Sequence, residues 1–194
     1  AMKIDINKII KLASTKPFGF SAFYPGPGVG GHCIPIDPYY LYWRAKKFGH
    51  EAKFIKLAGD INIETTRWTV KNIVKILSKI KTKKRKKILI LGLAYKKNVE
   101  DIRESAAIKI LQSLTKMNYI VDFSDPHVDT NDTLVKKLVK KSKNIKINKN
   151  IKKYDCVVLV TDHDIFNYKT ISKYSKFLID TRNRVNRQRN FFKL

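Results

Sequence analysis

The sequence predicts an α/β protein in which a helical segment, residues 1–84, leads into a small, doubly wound, parallel-sheet domain, residues 85–194. Three observations predict it. From Lys87 onward, apolar runs of strand length alternate with amphipathic stretches, the pattern of parallel strands joined by crossover helices. Ahead of Lys79, apolar residues recur at helical spacing instead. Residues 79–87 are rich in lysine and poor in apolar side chains, as expected where one unit gives way to the next.

Ile6, Ile9, Ile10 and Ala13 place a first amphipathic helix over residues 3–15, which ends before Pro17. Ala1 ahead of Met2 reads as a tag remnant, with Met2 the encoded start. Residues 18–38 exclude a helix, because Pro25-Gly26-Pro27-Gly28 and Gly30-Gly31 interrupt them. They predict a structured loop whose glycines let backbone approach a ligand closely. Asp37-Pro38 is expected to supply the N-cap and first-turn proline of a helix that runs through Phe48 and stops at Gly49. Val70, Ile73, Val74, Leu77 and Ile80 mark one face of a further helix, beginning near Asp60 and including Trp68.

In the sheet domain, strands are predicted over 88–93, 119–124 and 155–160, with 177–180 as the final strand. Helices are predicted over 105–117, 131–141 and 170–175. Ligands of such sheets bind beyond the carboxyl ends of the strands, so segments 94–104, 125–127, 161–164 and 181–184 are expected to ring one site. The turn after the first strand, Gly92-Leu93-Ala94-Tyr95-Lys96, has one glycine where a dinucleotide-binding turn needs three. It is a poor dinucleotide site, but Lys96, Lys97 and Arg103 flank it and can meet phosphate through side-chain charge.

The chain carries 41 Lys and Arg against 16 Asp and Glu, a net charge of +25. Only eight of the 41 are arginine, the residue suited to bidentate recognition of phosphates and bases. The charge is therefore read as a solvated lysine surface, with no nucleic-acid partner expected. No apolar run approaches the roughly 18–20 residues of a membrane span, so no membrane partner and a cytoplasmic location are expected. Cys33 and Cys156 lie far apart in unlike surroundings, which predicts two free thiols in a reducing compartment. Cys156, within Asp155-Cys156-Val157-Val158-Leu159-Val160, reads as a buried inert thiol, whereas Cys33 follows two glycines in an exposed loop.

The stretch Phe23-Tyr24-Pro25-Gly26-Pro27-Gly28-Val29-Gly30-Gly31-His32-Cys33-Ile34-Pro35-Ile36-Asp37-Pro38 resembles the catalytic loop of UDP-sugar 6-dehydrogenases, most closely the N-acetylhexosamine branch. Gly92-Leu93-Ala94-Tyr95-Lys96-Lys97-Asn98-Val99-Glu100-Asp101-Ile102-Arg103-Glu104-Ser105 resembles that family's UDP-binding domain. Asp180-Thr181-Arg182-Asn183 resembles its closing motif. The resemblance implies a helical, dimerising central segment followed by a Rossmann-like UDP-binding domain. It implies oxidation of the sugar's C6 alcohol to a carboxylate with two NAD, through a thiohemiacetal and a thioester on a cysteine, for surface polysaccharide synthesis. The nucleophile is a thiol because a thiohemiacetal can lose hydride and the resulting thioester remains hydrolysable.

In that resemblance Cys33 matches the nucleophile and Asp37 the aspartate that positions a water; capping the next helix is a compatible second role for Asp37. His32 reads as a loop or substrate contact, and no metal is expected. Tyr24 and the backbone at Gly26, Gly28, Gly30 and Gly31 are expected to contact the nucleotide-sugar, with Lys96 and Arg103 on its sugar or phosphates. Arg182 matches a substrate- or cofactor-side arginine. Ile36 stands where the UDP-glucose branch tends to carry lysine, which favours a UDP-N-acetylhexosamine. Full-length members begin with a Rossmann domain that holds NAD, then a helix bearing a catalytic lysine and asparagine, and this sequence starts after both. The resemblance thus implies the C-terminal part of a dehydrogenase, a homodimer through the helices of 38–80, dependent on a separately encoded NAD-binding domain. The alternative is an inactive remnant that binds UDP-sugar or dimerises without turnover.

Overall fold

The computed structural model describes residues 4–82, 84–186 and 190–194, so the reading of residues 1–3 as a tag remnant, start and first helical residue lies outside it, as does Lys83 of the lysine-rich stretch. Helix α1 spans Ile6–Ala13, opened by Asp5, whose carboxylate accepts from the Asn7 and Lys8 N–H groups. Helices α2, Cys33–Lys47, and α3, Lys53–Leu77, follow. The sheet domain runs β1 Lys87–Leu91, α4 Ala106–Lys116, β2 Ile120–Ser124, α5 Thr133–Val139, a short 3-10 turn Lys149–Lys153, β3 Cys156–Leu159, α6 Tyr168–Tyr174, β4 Leu178–Asp180 and β5 Phe191–Lys193.

All five strands are parallel, in the order β2-β1-β3-β4-β5. The chain therefore winds first to one side of β1 and then, after β2, to the other, a doubly wound arrangement with its switch point between β1 and β3. The two-residue period of a strand sorts the core. Ile88, Ile90, Val121, Phe123, Cys156, Val158 and Ile179 pack on one face with α4, α5 and the C-terminal half of α3. Leu89, Leu91, Val157, Leu159 and Leu178 pack on the other with Ile151, Phe166 and Ile171. Each buried Leu, Ile or Val contributes on the order of 1.5–3 kcal/mol through removal from water. Among the described residues no helix is long and apolar enough to cross a membrane.

Three expectations are corrected. Helix α2 begins at Cys33 rather than after Asp37, which makes Asp37 an interior residue instead of an N-cap. Pro35 falls in the first turn, where a missing N–H costs nothing. Pro38 does remove one helical bond, to Ile34, but Ile34 is exposed and its carbonyl can meet water. Helix α3 begins at Lys53, ahead of Asp60, and passes through Gly59. The Tyr39 hydroxyl of α2 sits where a Cβ at Gly59 would be, so this glycine serves a helix crossing rather than a turn. Finally, β4 is not the last strand: Phe191–Lys193 pairs with it as β5, too short a run to show alternation in the sequence.

Candidate functional site

The glycine-rich loop between α1 and α2 is fastened on two sides. On the helical side, Asn62 of α3 accepts from the Val29 N–H at 2.7 Å and donates to its carbonyl at 3.1 Å, while Thr66 donates to the Pro27 carbonyl at 2.8 Å. On the sheet side, the Gly31 N–H donates to the Arg103 carbonyl at 2.8 Å. Side chains are excluded by closeness. A Cβ at Gly30 would lie 2.7 Å from the Tyr95 Cβ and 2.8 Å from the Glu104 carbonyl oxygen, and one at Gly28 would lie 2.6 Å from the Thr66 hydroxyl. Gly31 also has φ +93°, a conformation that disfavours any side chain, and faces the Tyr95 ring. Gly26 lies directly against the Arg182 guanidinium.

Gly31 turns the chain into α2, and Cys33 is that helix's exposed first residue. Asp37 follows four residues later, on the same helix face one turn on. His32 precedes the helix without a side-chain capping bond, and its Nδ1 lies 3.8 Å from the Asp37 carboxylate. The ligand-type atoms of His32, Cys33 and Asp37 all lie within 4.8 Å of one another. Arg103 borders this group through its carbonyl, which holds the Gly31 N–H, while its guanidinium is clamped on Asp101, with bonds of 3.0 and 2.7 Å to one carboxylate oxygen. Hydrogen bonding from Arg103 holds the Asp101 carboxyl below the usual carboxylate range.

A second group gathers beyond the carboxyl ends of β3 and β4. Arg182 donates from Nε to the Val160 carbonyl at 2.6 Å, and burial lowers its pKa. Tyr24, Pro25, Lys97, Asp162, Arg182, Asn183 and Arg184 line a cleft of about 530 Å³ there, together with Asn7 and Lys11 of α1. Lys97 pairs with Asp164 at 3.3 Å, and Arg184 bridges Asp162 and Asp164 at 3.4 and 3.2 Å. The structure thus brings Cys33, Asp37, His32 and Arg103 together at one end of the loop and Tyr24, Gly26 and Arg182 at the other. Lys96 joins neither group: it is exposed and has no ion pair among the described residues, while its neighbour Lys97 lines the cleft.

Sequence reasoning missed the residue that organises these loops. Asp125 is buried and accepts from five donors: the Leu93 and Ala94 N–H groups, those of His127 and Val128, and His163 Nε2 at 2.9 Å. His163 Nδ1 accepts from the Asn98 N–H, which fixes the proton on Nε2. Burial alone would raise the Asp125 pKa, but the bonds from His163, Ala94 and His127 outweigh it and hold the carboxyl below its ordinary range. Through Asp125, the turn after β1 is joined to the segments after β2 and β3. The sequence placed 125–127 among the segments expected beyond the strand ends, but nothing in that run marks Asp125 as their shared acceptor.

A parallel sheet, a glycine loop fastened to it, and an exposed thiol one helical turn from a carboxylate make this an α/β protein of the doubly wound class with a thiol at the end of its glycine loop. Residues 89–187 match the UDP binding domain of the UDP-glucose/GDP-mannose dehydrogenase family, and residues 1–64 match that family's central domain. The chain belongs to this family. It is 33% identical to the UDP-N-acetyl-D-mannosamine dehydrogenase of Methanococcus vannielii over 94% of this chain and 41% of that protein. It is 34% identical to the UDP-N-acetyl-D-glucosamine 6-dehydrogenase of Pseudomonas aeruginosa over 69% of this chain and 31% of that protein. The structure of UDP-D-ManNAc dehydrogenase from Pyrococcus horikoshii superposes with a TM-score of 0.75 at 29% identity, covering 98% of this chain and 44% of that one. The chain spans about two fifths of the length of the first of these relatives.

Proposed function

We propose that this chain is the thiol-bearing, nucleotide-sugar-binding part of a UDP-N-acetylhexosamine 6-dehydrogenase, acting in the cytoplasm in surface polysaccharide synthesis. The observation that carries the reading is the placement of Cys33 and Asp37 on one face of α2, at the end of a glycine loop fastened to the UDP-binding domain. Cys33 adds its thiol to the C6 aldehyde, and Asp37 accepts a proton from the water that later attacks the thioester. That hydrolysis breaks the carbon–sulfur bond, leaves the C6 carboxylate and returns the thiol. The N–H groups of the first turn of α2 favour the negative charge that develops at the sulfur and at the C6 oxygen. The diphosphate takes the cleft of Lys97, Arg182 and Arg184, where it displaces the partly exposed pairs that Lys97 and Arg184 make with Asp164 and Asp162, with Tyr24 beside it.

NAD, when bound, supplies the hydride acceptor for both oxidations. The turn after β1 does not fit it: that turn has one glycine, and its Leu93 and Ala94 N–H groups are already bonded to Asp125, which leaves those amides unavailable to a pyrophosphate. In this reading a separate NAD-binding domain completes the site, and residues 1–84 and 85–194 form the central and UDP-binding domains. Helix α2 has no buried residue, and Tyr40, Leu41 and Trp43 on it and Phe54, Leu57 and Trp68 on α3 are all more than half exposed, which supports a homodimer through these helices. Calorimetric titration with UDP-N-acetylmannosamine, UDP-N-acetylglucosamine and NAD tests the reading. Binding of a UDP-sugar without NAD supports it; binding of NAD without a UDP-sugar contradicts it.

A further inference from the structure

The sequence offers no paired metal-ligand spacing, yet the fold assembles three unlike donors at the start of α2: an imidazole, a thiol and a carboxylate within 4.8 Å of one another. We propose that His32, Cys33 and Asp37 form a capture site for a thiophilic divalent cation, zinc or cadmium, that reversibly blocks the thiol. Cys33 and Asp37 stand four residues apart on one helix face, the spacing by which helices present two ligands to one ion. His32 reaches the same point from the N-cap position, with its Nδ1 3.8 Å from the Asp37 carboxylate.

The chemistry of the set fits zinc, which takes sulfur, imidazole nitrogen and carboxylate oxygen at about 2.0–2.3 Å in a tetrahedron. Small rotations of exposed side chains bring donors within 4.8 Å onto one ion, and the fourth position stays open to water. Charge balances as well. A thiolate and a carboxylate together neutralise the dication, and the imidazole binds neutral through Nδ1. Binding replaces the S–H bond with a sulfur–metal bond and releases one proton to solvent. Arg103, the cation held next to the loop, has its guanidinium occupied by Asp101, and this offsets its repulsion of a metal ion. The site needs only these three side chains, so it stands or falls independently of the dehydrogenase reading. Its consequence is that free zinc shields Cys33 from any electrophile, substrate included.

The test is titration of the full 194-residue chain with zinc chloride and cadmium chloride, by calorimetry and by ultraviolet absorbance of the sulfur–cadmium charge transfer. One ion per chain is expected, with an absorbance band that Cys33→Ser removes. Loss of an outer-shell partner costs roughly 10- to 100-fold in metal affinity, so His32→Gln and Asp37→Asn, which remove direct ligands, should each weaken binding at least tenfold. Zinc should also slow alkylation of Cys33 in native protein. Absence of stoichiometric binding overturns the proposal, as does affinity unchanged in Cys33→Ser. Affinity unchanged in either His32→Gln or Asp37→Asn overturns the three-donor assignment, leaving a simple thiol–metal contact.

Discussion

Asp125 and His163 meet at 2.9 Å with both side chains fully buried, and through them the turns after three strands are held as one unit. Asp125→Asn keeps the shape but turns one acceptor into a donor facing N–H groups. A buried N–H left without its acceptor costs about 1–3 kcal/mol, and a loss of at least that order is expected in urea unfolding at neutral pH. Because the folded-state pKa of Asp125 is depressed, its contribution is complete above the unfolded value of roughly 3.9 and fades as pH falls through the lower folded value. Unfolding curves of wild type and Asp125→Asn should therefore converge as the pH is lowered below about 4. Parallel curves down to strong acid would contradict the assignment.

Gly30→Ala forces a Cβ against the Tyr95 Cβ and the Glu104 carbonyl, and backbone cannot yield as a flexible side chain does. Overpacking of this kind costs about 1–3 kcal/mol. The expected result is a lowered unfolding midpoint together with weaker UDP-sugar binding, read by denaturant titration and calorimetry. Unchanged values for both would mean that the loop does not depend on its fit to the sheet domain.

Arg182 is half-buried, bonded to the Val160 carbonyl and lines the cleft assigned to the diphosphate. A charge-assisted hydrogen bond contributes about 1.5–3 kcal/mol, so Arg182→Ala should weaken UDP binding roughly 10- to 100-fold. Arg182→Lys should retain part of that affinity, since it keeps the charge and loses the fork. Equal affinity of wild type and Arg182→Ala for UDP would remove the cleft from the account.

The two thiols should differ sharply in reactivity. Cys156 is fully buried and burial pushes its pKa up, whereas Cys33 is exposed. A buried thiol reacts only from opened states, so iodoacetamide should label Cys33 more than roughly 100-fold faster in folded protein. Mass spectrometry of timed samples measures this, and comparable rates would contradict the placement of either residue.

These outcomes also mark where the sequence was informative. Strands β1 and β3 are continuous apolar runs in a sheet covered on both faces, so Ile88 and Cys156 announced their surroundings locally. The thiol and the loop glycines were legible from their motif. What escaped depended on distant partners: Asp37-Pro38 looks like a helix start, yet Gly31 turns the chain so that α2 begins at Cys33, four residues before Asp37, and the helix absorbs both. Asp125 lies in a segment expected beyond the strand ends, and only the folded sheet reveals five donors converging on it. Lys97 rather than Lys96 faces the cleft because Asp164 and Asn98, joined across the strand ends, set the direction of that turn.

The central claim is that Cys33 is the nucleophile of a site that another domain must complete. The direct measurement is NADH absorbance with UDP-N-acetylmannosamine or UDP-N-acetylglucosamine at high protein concentration, with and without the N-terminal domain of a full-length relative. Proximity accounts for roughly 7–11 kcal/mol of such a barrier, so free NAD colliding with this chain cannot replace a held cofactor. The account predicts no turnover by the chain alone, and activity on addition of the domain that Cys33→Ala abolishes. Turnover by the isolated chain, or restored activity that survives Cys33→Ala, would contradict it.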